Sequence, residues 1–70
     1  MKGRAETSEE KRAIVERLYA AWLLVPELRL GQLIVNATRN LTQFPGDVFY
    51  IEDETLADAV NAHASKRAGR

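Results

Sequence analysis

The chain has 70 residues, ten of them basic and ten acidic, and this balance removes the general attraction that a strongly basic domain has for nucleic acid or anionic lipid. A chain this short forms a single domain that buries only about 60% of its unfolded surface, so helix packing or self-association must supply its stability. It contains no cysteine and one histidine, which excludes a disulfide framework, a thiolate metal site and a histidine cluster.

The two ends of the chain are charged and carry no apolar periodicity. Residues 1–12, MKGRAETSEEKR, lack the apolar core of a secretory signal, and no stretch approaches the roughly 20 apolar residues that span a bilayer. We therefore expect a cytoplasmic protein without a membrane partner, with frayed termini at about residues 1–6 and 67–70.

The first predicted helix covers residues 8–24. Thr7 and Glu10 have the spacing of a capping box at its start. Apolar residues then recur at helical spacing and form one stripe: Ile14, Leu18, Ala21, Trp22 and Val25. Three more apolar residues lie off this stripe, namely Tyr19, Leu23 and Leu24, so the last turn is apolar on nearly all sides. This predicts that the rest of the chain or a partner encloses the last turn.

The second predicted helix covers residues 27–40, after Pro26 has ended the first. Its predicted core face consists of Leu30, Leu33, Ile34, Ala37 and Leu41. Gly31 lies inside this pattern at a cost of about 1 kcal/mol relative to alanine, which predicts the close approach of another backbone or of a bulky side chain such as Trp22. We expect this helix to be the central one.

Residues 42–52 contain the turn signal Pro45-Gly46 and a short aromatic run, which predict a turn or extended segment. A third helix is predicted over residues 54–65 with Asp53 as its N-cap. Only Leu56 and Val60 are large on its apolar stripe, so we expect it to lie over the other two helices without burying much area. Together these patterns predict an all-α, single-domain, three-helix fold.

A polar stripe follows the second predicted helix at positions i, i+3, i+7 and i+11, namely Arg29, Gln32, Asn36 and Asn40. Leu28 and Val35 flank it, so it differs from an ordinary solvated face. One interpretation is an internal hydrogen-bonding network between the stripe and the following loop, in which Arg29 makes a charge-assisted pair with one carboxylate. The candidate partners in the loop are Asp47, Tyr50, Glu52 and Asp53. The other interpretation is a recognition stripe for a peptide, a nucleotide or a nucleic-acid edge.

Two segments of the chain also resemble a known group of proteins. Residues 29–36, RLGQLIVN, and residues 47–53, DVFYIED, are similar to the paired segments R-[LF]-G-Q-[LI]-[LI]-x-N and D-x-F-Y-x-E-D of a group of short, uncharacterised bacterial and phage proteins. With the Trp22 and Pro26 positions, the resemblance covers about half of the chain. It implies a small helical protein and brings no activity with it.

The sequence offers little support for catalysis or metal binding. Five acidic residues form a group that could suggest a metal site: Asp47, Glu52, Asp53, Glu54 and Asp58. They lack the calcium-loop pattern, and acidic residues are common at the start of a helix. His63 is expected to be a lone surface or edge histidine. There is no phosphate loop or nucleophile signature, and a Tyr50 and Glu52 pair beside Arg29 is a generic arrangement. We expect no enzyme activity, metal or cofactor.

The function hypothesis is a small protein-interaction module, phage-encoded or an accessory regulator, that binds another protein or itself. It depends on an apolar excess that three short helices leave uncovered, namely Leu23, Leu24, Leu28 and Val35. The alternative is a nucleic-acid-binding protein resembling a helix-turn-helix, with basic and polar groups at Arg29, Gln32, Arg39, Lys66 and Arg67.

Overall fold

The computed structural model describes residues 4–39, 41 and 51–69. These residues form three helices, α1 (Ser8–Leu24), α2 (Leu30–Thr38) and α3 (Asp53–Arg67), and the described part of the chain contains no strand. The all-α, three-helix fold is therefore confirmed. Most of the predicted turn or extended segment, residues 42–50, lies outside the described residues, and residues 51 and 52 lead without regular structure into α3.

The start of α1 is a capping box, as the spacing of Thr7 and Glu10 predicts. The hydroxyl of Thr7 accepts a hydrogen bond from the backbone N–H of Glu10 at 3.0 Å. The carboxylate of Glu10 in turn accepts from the backbone N–H groups of Thr7 at 3.0 Å and Glu6 at 3.2 Å. These backbone hydrogen bonds lower the pKa of Glu10 below its ordinary value, because they favour the charged carboxylate.

The second helix is shorter than predicted. It begins at Leu30 and not at residue 27, because residues 26–28 form a turn in which the N–H of Leu28 donates to the carbonyl of Val25 at 3.0 Å. The indole N–H of Trp22 donates to the carbonyl of Leu28 at 2.6 Å. This hydrogen bond ties the last turn of α1 to the connection before α2.

The central helix is α3, and the prediction that the second helix would be central is wrong. α3 packs against both α1 and α2, whereas the contact between α1 and α2 is slight. Ala57, Val60 and Ala64 are fully buried on α3. Small side chains let a neighbouring helix approach closely. The apolar stripe of α3, which was expected to bury little area, therefore packs against both α1 and α2. α3 also begins one residue early, with Glu52 as N-cap, and extends to Arg67.

The main core lies where the three helices meet, and its buried residues are Ala21, Val25, Leu33, Val60 and Ala64. A smaller cluster of Ala5, Ile14 and Ala57 extends it. Ala5 is buried, and its N–H donates to Oδ2 of Asp53 at 2.7 Å. Residue 5 is thus anchored to the start of α3, inside the segment that was expected to fray.

Gly31 does not have the close neighbour that its position in α2 predicted. A Cβ atom built at Gly31 meets nothing within 4 Å among the described residues. The residue is exposed, so the expected approach of Trp22 or another bulky side chain is wrong within this part of the chain.

Candidate functional site

The polar stripe of α2 is satisfied largely by local contacts. Oε1 of Gln32 accepts from the backbone N–H of Arg29 at 2.9 Å, which caps the start of α2. Oδ1 of Asn36 accepts from Nη2 of Arg39 at 3.0 Å. Asn40 lies outside the described residues. Gln32 and Asn36 therefore bond to residues three positions away, and neither reaches across to another described helix.

The expected connection between Arg29 and the acidic loop is not seen in the described part of the chain. Arg29 is exposed, and its guanidinium makes no ion pair with Glu52 or Asp53. Glu52 is exposed at the N-cap of α3, and Asp53 accepts the N–H of Ala5. The other two candidate partners, at positions 47 and 50, are not among the described residues.

An arginine that the sequence reading did not single out joins two helices. Arg17 on α1 donates from Nη1 to Oε2 of Glu54 at 3.2 Å and from Nη2 to Oδ1 of Asp58, both on α3. The hydrogen bond to Asp58 raises the pKa of Arg17, so the guanidinium stays charged. Nδ2 of Asn61 donates to the carbonyl of Arg17 at 3.3 Å. The i, i+4 spacing of the two acids was the signal that a cation would lie between them.

The acidic group is dispersed over structural roles. Asp53 holds the N-terminal segment, and Glu54 and Asp58 pair with Arg17. Among the described residues, no three His, Asp or Glu side chains come together in a way that would hold a metal ion. Arg67, a candidate in the nucleic-acid alternative, donates to Oε2 of Glu27 at 3.4 Å.

His63 lies at the edge of the buried region, as the expectation of a lone surface or edge histidine allows. Its side chain is partly enclosed on α3, and Nε2 is buried without a hydrogen-bond partner in the described part of the chain.

The four residues expected at an apolar interface divide into two pairs. Leu24 and Leu28 pack against the main core. Leu23 and Val35 are 59% and 51% exposed. Leu23 lies on α1 and Val35 lies on α2, at a position about 200° round the helix from the buried Leu33. Of the four expected residues, Leu23 and Val35 therefore remain exposed, and they lie on different helices.

The largest exposed apolar side chains of α1 follow one line along the helix. Val15, Tyr19 and Leu23 recur at i, i+4 and i+8, and they are 60%, 62% and 59% exposed. This spacing places them on one side of the helix. We refer to these three residues as the open face of α1.

A groove borders the open face. It has a volume of about 280 Å³, and the residues that line it are all apolar or aromatic: Val15, Leu18, Tyr19, Trp22 and Leu30. The groove exists because α1 and α2 both pack on α3 and make only slight contact with each other. A smaller depression of about 130 Å³ shares Tyr19 and Trp22 with the groove and is also lined by Leu23 and Pro26. The open face and the groove together form one continuous apolar surface.

Comparisons with known proteins do not extend these observations. No protein-family model matches the chain, and neither the curated proteins nor the solved structures provide a significant match. In the described residues, no helix combines the length and the apolar character needed to cross a membrane.

Proposed function

We propose that the chain is a small protein-interaction module that binds a partner protein through the open face of α1 and its bordering groove. The observation that supports this proposal is the exposure of about three-fifths of each of Val15, Tyr19 and Leu23 on a single helix side. A role as a phage-encoded or accessory regulator is part of the same proposal, and it depends on the resemblance of residues 29–36 and 47–53 to short bacterial and phage proteins.

The energetics favour a covered surface. Full burial of a valine, leucine or aromatic side chain contributes about 1.5–3 kcal/mol relative to full exposure. Each residue of the open face has more than half of its side chain still in water, so a partner would gain most of that contribution at three positions. Monomeric proteins seldom leave a continuous apolar surface of this kind without a use for it.

The residue types also fit a protein interface. Tyrosine is enriched at the energetic centres of interfaces, because it buries a large rigid ring and keeps a hydroxyl for the polar rim. Tyr19 is the middle residue of the open face. Arg12 and Glu16 form an exposed ion pair at 2.9 Å on the same helix. Apolar residues beside charged ones correspond to the core and rim of a typical interface.

The proposal is tested with two matched variants, Leu23→Lys and Val35→Lys. Both residues are exposed leucine or valine side chains in a helix, at 59% and 51%, but only Leu23 belongs to the open face. Affinity capture from the native host, with thermal unfolding of both variants as a folding control, should show that Leu23→Lys loses the partner at least tenfold and that Val35→Lys keeps it. Equal capture by the two variants would contradict the proposal.

The alternative proposal, nucleic-acid binding, is supported by the exposed Arg29, whose guanidinium has no ion pair among the described residues. Against it, Arg39 is engaged with Asn36 and Arg67 with Glu27. A titration with duplex and single-stranded oligonucleotides at low salt separates the two proposals. Binding that weakens with salt and is reduced in Arg29→Ala would favour the alternative, and no binding at low salt would eliminate it.

A further inference from the structure

We infer that the partner that fits the open face of α1 is a second copy of this chain, lying antiparallel along α1 with the two Tyr19 side chains adjacent at the twofold axis. This inference rests on the proposed function, because it uses the same surface, and it adds the identity and the orientation of the partner. Two features of α1 support it, the symmetry of the open face and the distribution of charge along the helix, and the neutral charge of the whole chain does not oppose it.

The open face is self-complementary when the helix direction is reversed. In a twofold interface, if residue i contacts residue j of the other copy, then residue j contacts residue i. Val15 and Leu23 lie four residues before and four residues after Tyr19, and they are exposed to the same degree, 60% and 59%. Reversal about Tyr19 therefore places Val15 of each copy against Leu23 of the other, so that aliphatic groups meet at both ends.

The charges along α1 favour the antiparallel direction. The last turn of α1 contains no basic residue to offset the partial negative charge at the C-terminal end of the helix. Lys11, near the other end, is exposed and makes no ion pair among the described residues. In the antiparallel pair, Lys11 of each copy lies beside the C-terminal end of the other α1. A parallel pair would place the two lysines together, which costs free energy.

Neither long-range charge nor shape opposes the pairing. The chain has ten basic and ten acidic residues, so two copies do not repel each other through a net charge. The groove between Leu18, Trp22 and Leu30 borders Tyr19, and it offers an apolar place for the ring of the second copy's tyrosine.

The available area sets the strength of the pair. A standard interface buries about 800 Å² per partner, whereas the whole accessible surface of this chain is only 5294 Å². A helix of 17 residues is only about 25 Å long. We therefore expect a dimer that dissociates on dilution, not an obligate one.

Disulfide cross-linking tests the partner and its orientation together, because the chain has no cysteine of its own. Full-length Val15→Cys and Leu23→Cys chains, one carrying a mass tag, are mixed and oxidised mildly. In the antiparallel pair, position 15 lies opposite position 23, whereas the two copies of position 15 are about 12 Å apart along the axis, too far for a disulfide. The mixed 15–23 disulfide should therefore exceed both homodisulfides several-fold.

Two cross-linking results would overturn the inference. A predominant 15–15 disulfide would indicate a parallel pair, and a yield no higher than that of a Val35→Cys chain would indicate random collision. Sedimentation over a range of concentrations provides a second measurement that needs no cysteine. We expect Leu23→Lys to raise the dissociation constant at least tenfold, Lys11→Glu to raise it several-fold, and Val35→Lys to leave it unchanged. A wild-type chain that stays monomeric, or a Leu23→Lys chain that dimerises normally, would also overturn the inference.

The same variants distinguish failure of this inference from failure of the proposed function. If the chain is strictly monomeric but Leu23→Lys loses a different captured protein, self-pairing is overturned and the proposed interaction surface stands. If Leu23→Lys changes neither the sedimentation nor the capture, both are overturned.

Discussion

The two sides of α1 are both apolar, but they have different environments. The side that packs on α3 carries Ala21, fully buried, with Ile14 and Val25 nearly so. The opposite side carries Val15, Tyr19 and Leu23, each about three-fifths exposed. Large side chains are thus found on both sides of α1, since Leu18 and Trp22 pack against the core, while the smallest of these residues, Ala21, is fully buried.

This difference shows that apolar content alone does not identify the buried side of a helix in so small a protein. α3 also contributes alanines, Ala57 and Ala64, where it is fully buried. Helices with small side chains at the contact approach closely, and close approach excludes water from the backbone and from neighbouring larger residues such as Leu33 and Val60. The size of the side chains at the contact determines how near the helices can lie. That distance determines which apolar surface stays exposed to water.

The largest effect is expected from removing a large side chain of α2 from the core against which the buried side of α1 packs. Leu33→Ala should cost about 2–5 kcal/mol of unfolding free energy, because Leu33 is fully buried and a cavity replaces its side chain. A domain of this size has only about 3–5 kcal/mol in total, so the variant should keep at most about 3 kcal/mol of unfolding free energy. Urea denaturation followed by circular dichroism measures this. Val35→Ala on the exposed side of α2 is the control, expected within about 0.5 kcal/mol; similar values for both would contradict the assigned core.

A smaller effect is expected from overfilling the contact between α1 and α3. Ala21→Leu places a large side chain where the exposed fraction is zero, and overpacking of this kind costs about 1–3 kcal/mol. Val15→Leu enlarges a residue of the open face, and below the concentration at which chains associate it should change the unfolding free energy by less than about 0.5 kcal/mol. If Ala21→Leu is tolerated as well as Val15→Leu, the two sides of α1 do not differ as described.

Replacement of Gly31 should have the opposite effect to the two substitutions above, because it should raise the free energy of unfolding. Gly31→Ala adds a Cβ that meets nothing within 4 Å among the described residues and removes the unfavourable helix propensity of glycine, a gain of up to about 1 kcal/mol. The midpoint of thermal unfolding should rise. A lower midpoint would mean that a neighbour packs closely against this position after all.

The smallest expected effect concerns the start of α1 and depends on pH. The pKa of Glu10 is lowered in the folded chain by the backbone N–H groups of Thr7 and Glu6. A group with a lowered folded pKa contributes stability that is complete above its ordinary pKa and is lost as the pH falls through the folded pKa. Glu10→Gln keeps a capping acceptor without the charge. As the pH falls below about 5, the wild type should therefore lose more stability than this variant, which circular dichroism of the two chains would measure. Identical acid profiles of the two chains would contradict the role of the charge.

Much of the fold was predictable because local chemistry determines it. The bounds of α1 follow from the capping box at Thr7 and from the apolar period that ends before Pro26, and the existence of α2 and α3 follows from the same kind of pattern. The start of α2 was not predictable in this way. It depends on a hydrogen bond from Trp22 to the carbonyl of Leu28, which joins residues of different elements.

The candidate site was predictable to a smaller extent. The sequence indicated that apolar surface would remain uncovered near the end of α1, and Leu23 is indeed exposed, but Leu24 and Leu28 are packed against the core. The polar stripe was visible as a pattern, yet its pattern did not reveal that Gln32 would cap its own helix or that Asn36 would bond to Arg39. Side-chain hydrogen bonds of this kind depend on which way each group turns, and spacing alone leaves that open.

The sequence by itself determined that there are three helices, where α1 begins and ends, and that the chain has more apolar surface than three short helices cover. Tertiary structure alone decided that α3 is central, that Arg17 joins α1 to α3, and that Val15, Tyr19 and Leu23 form the open face. The physical reason is that helix formation depends on residues within a turn or two of each other. Burial depends on how closely distant helices approach, and here alanines set that approach.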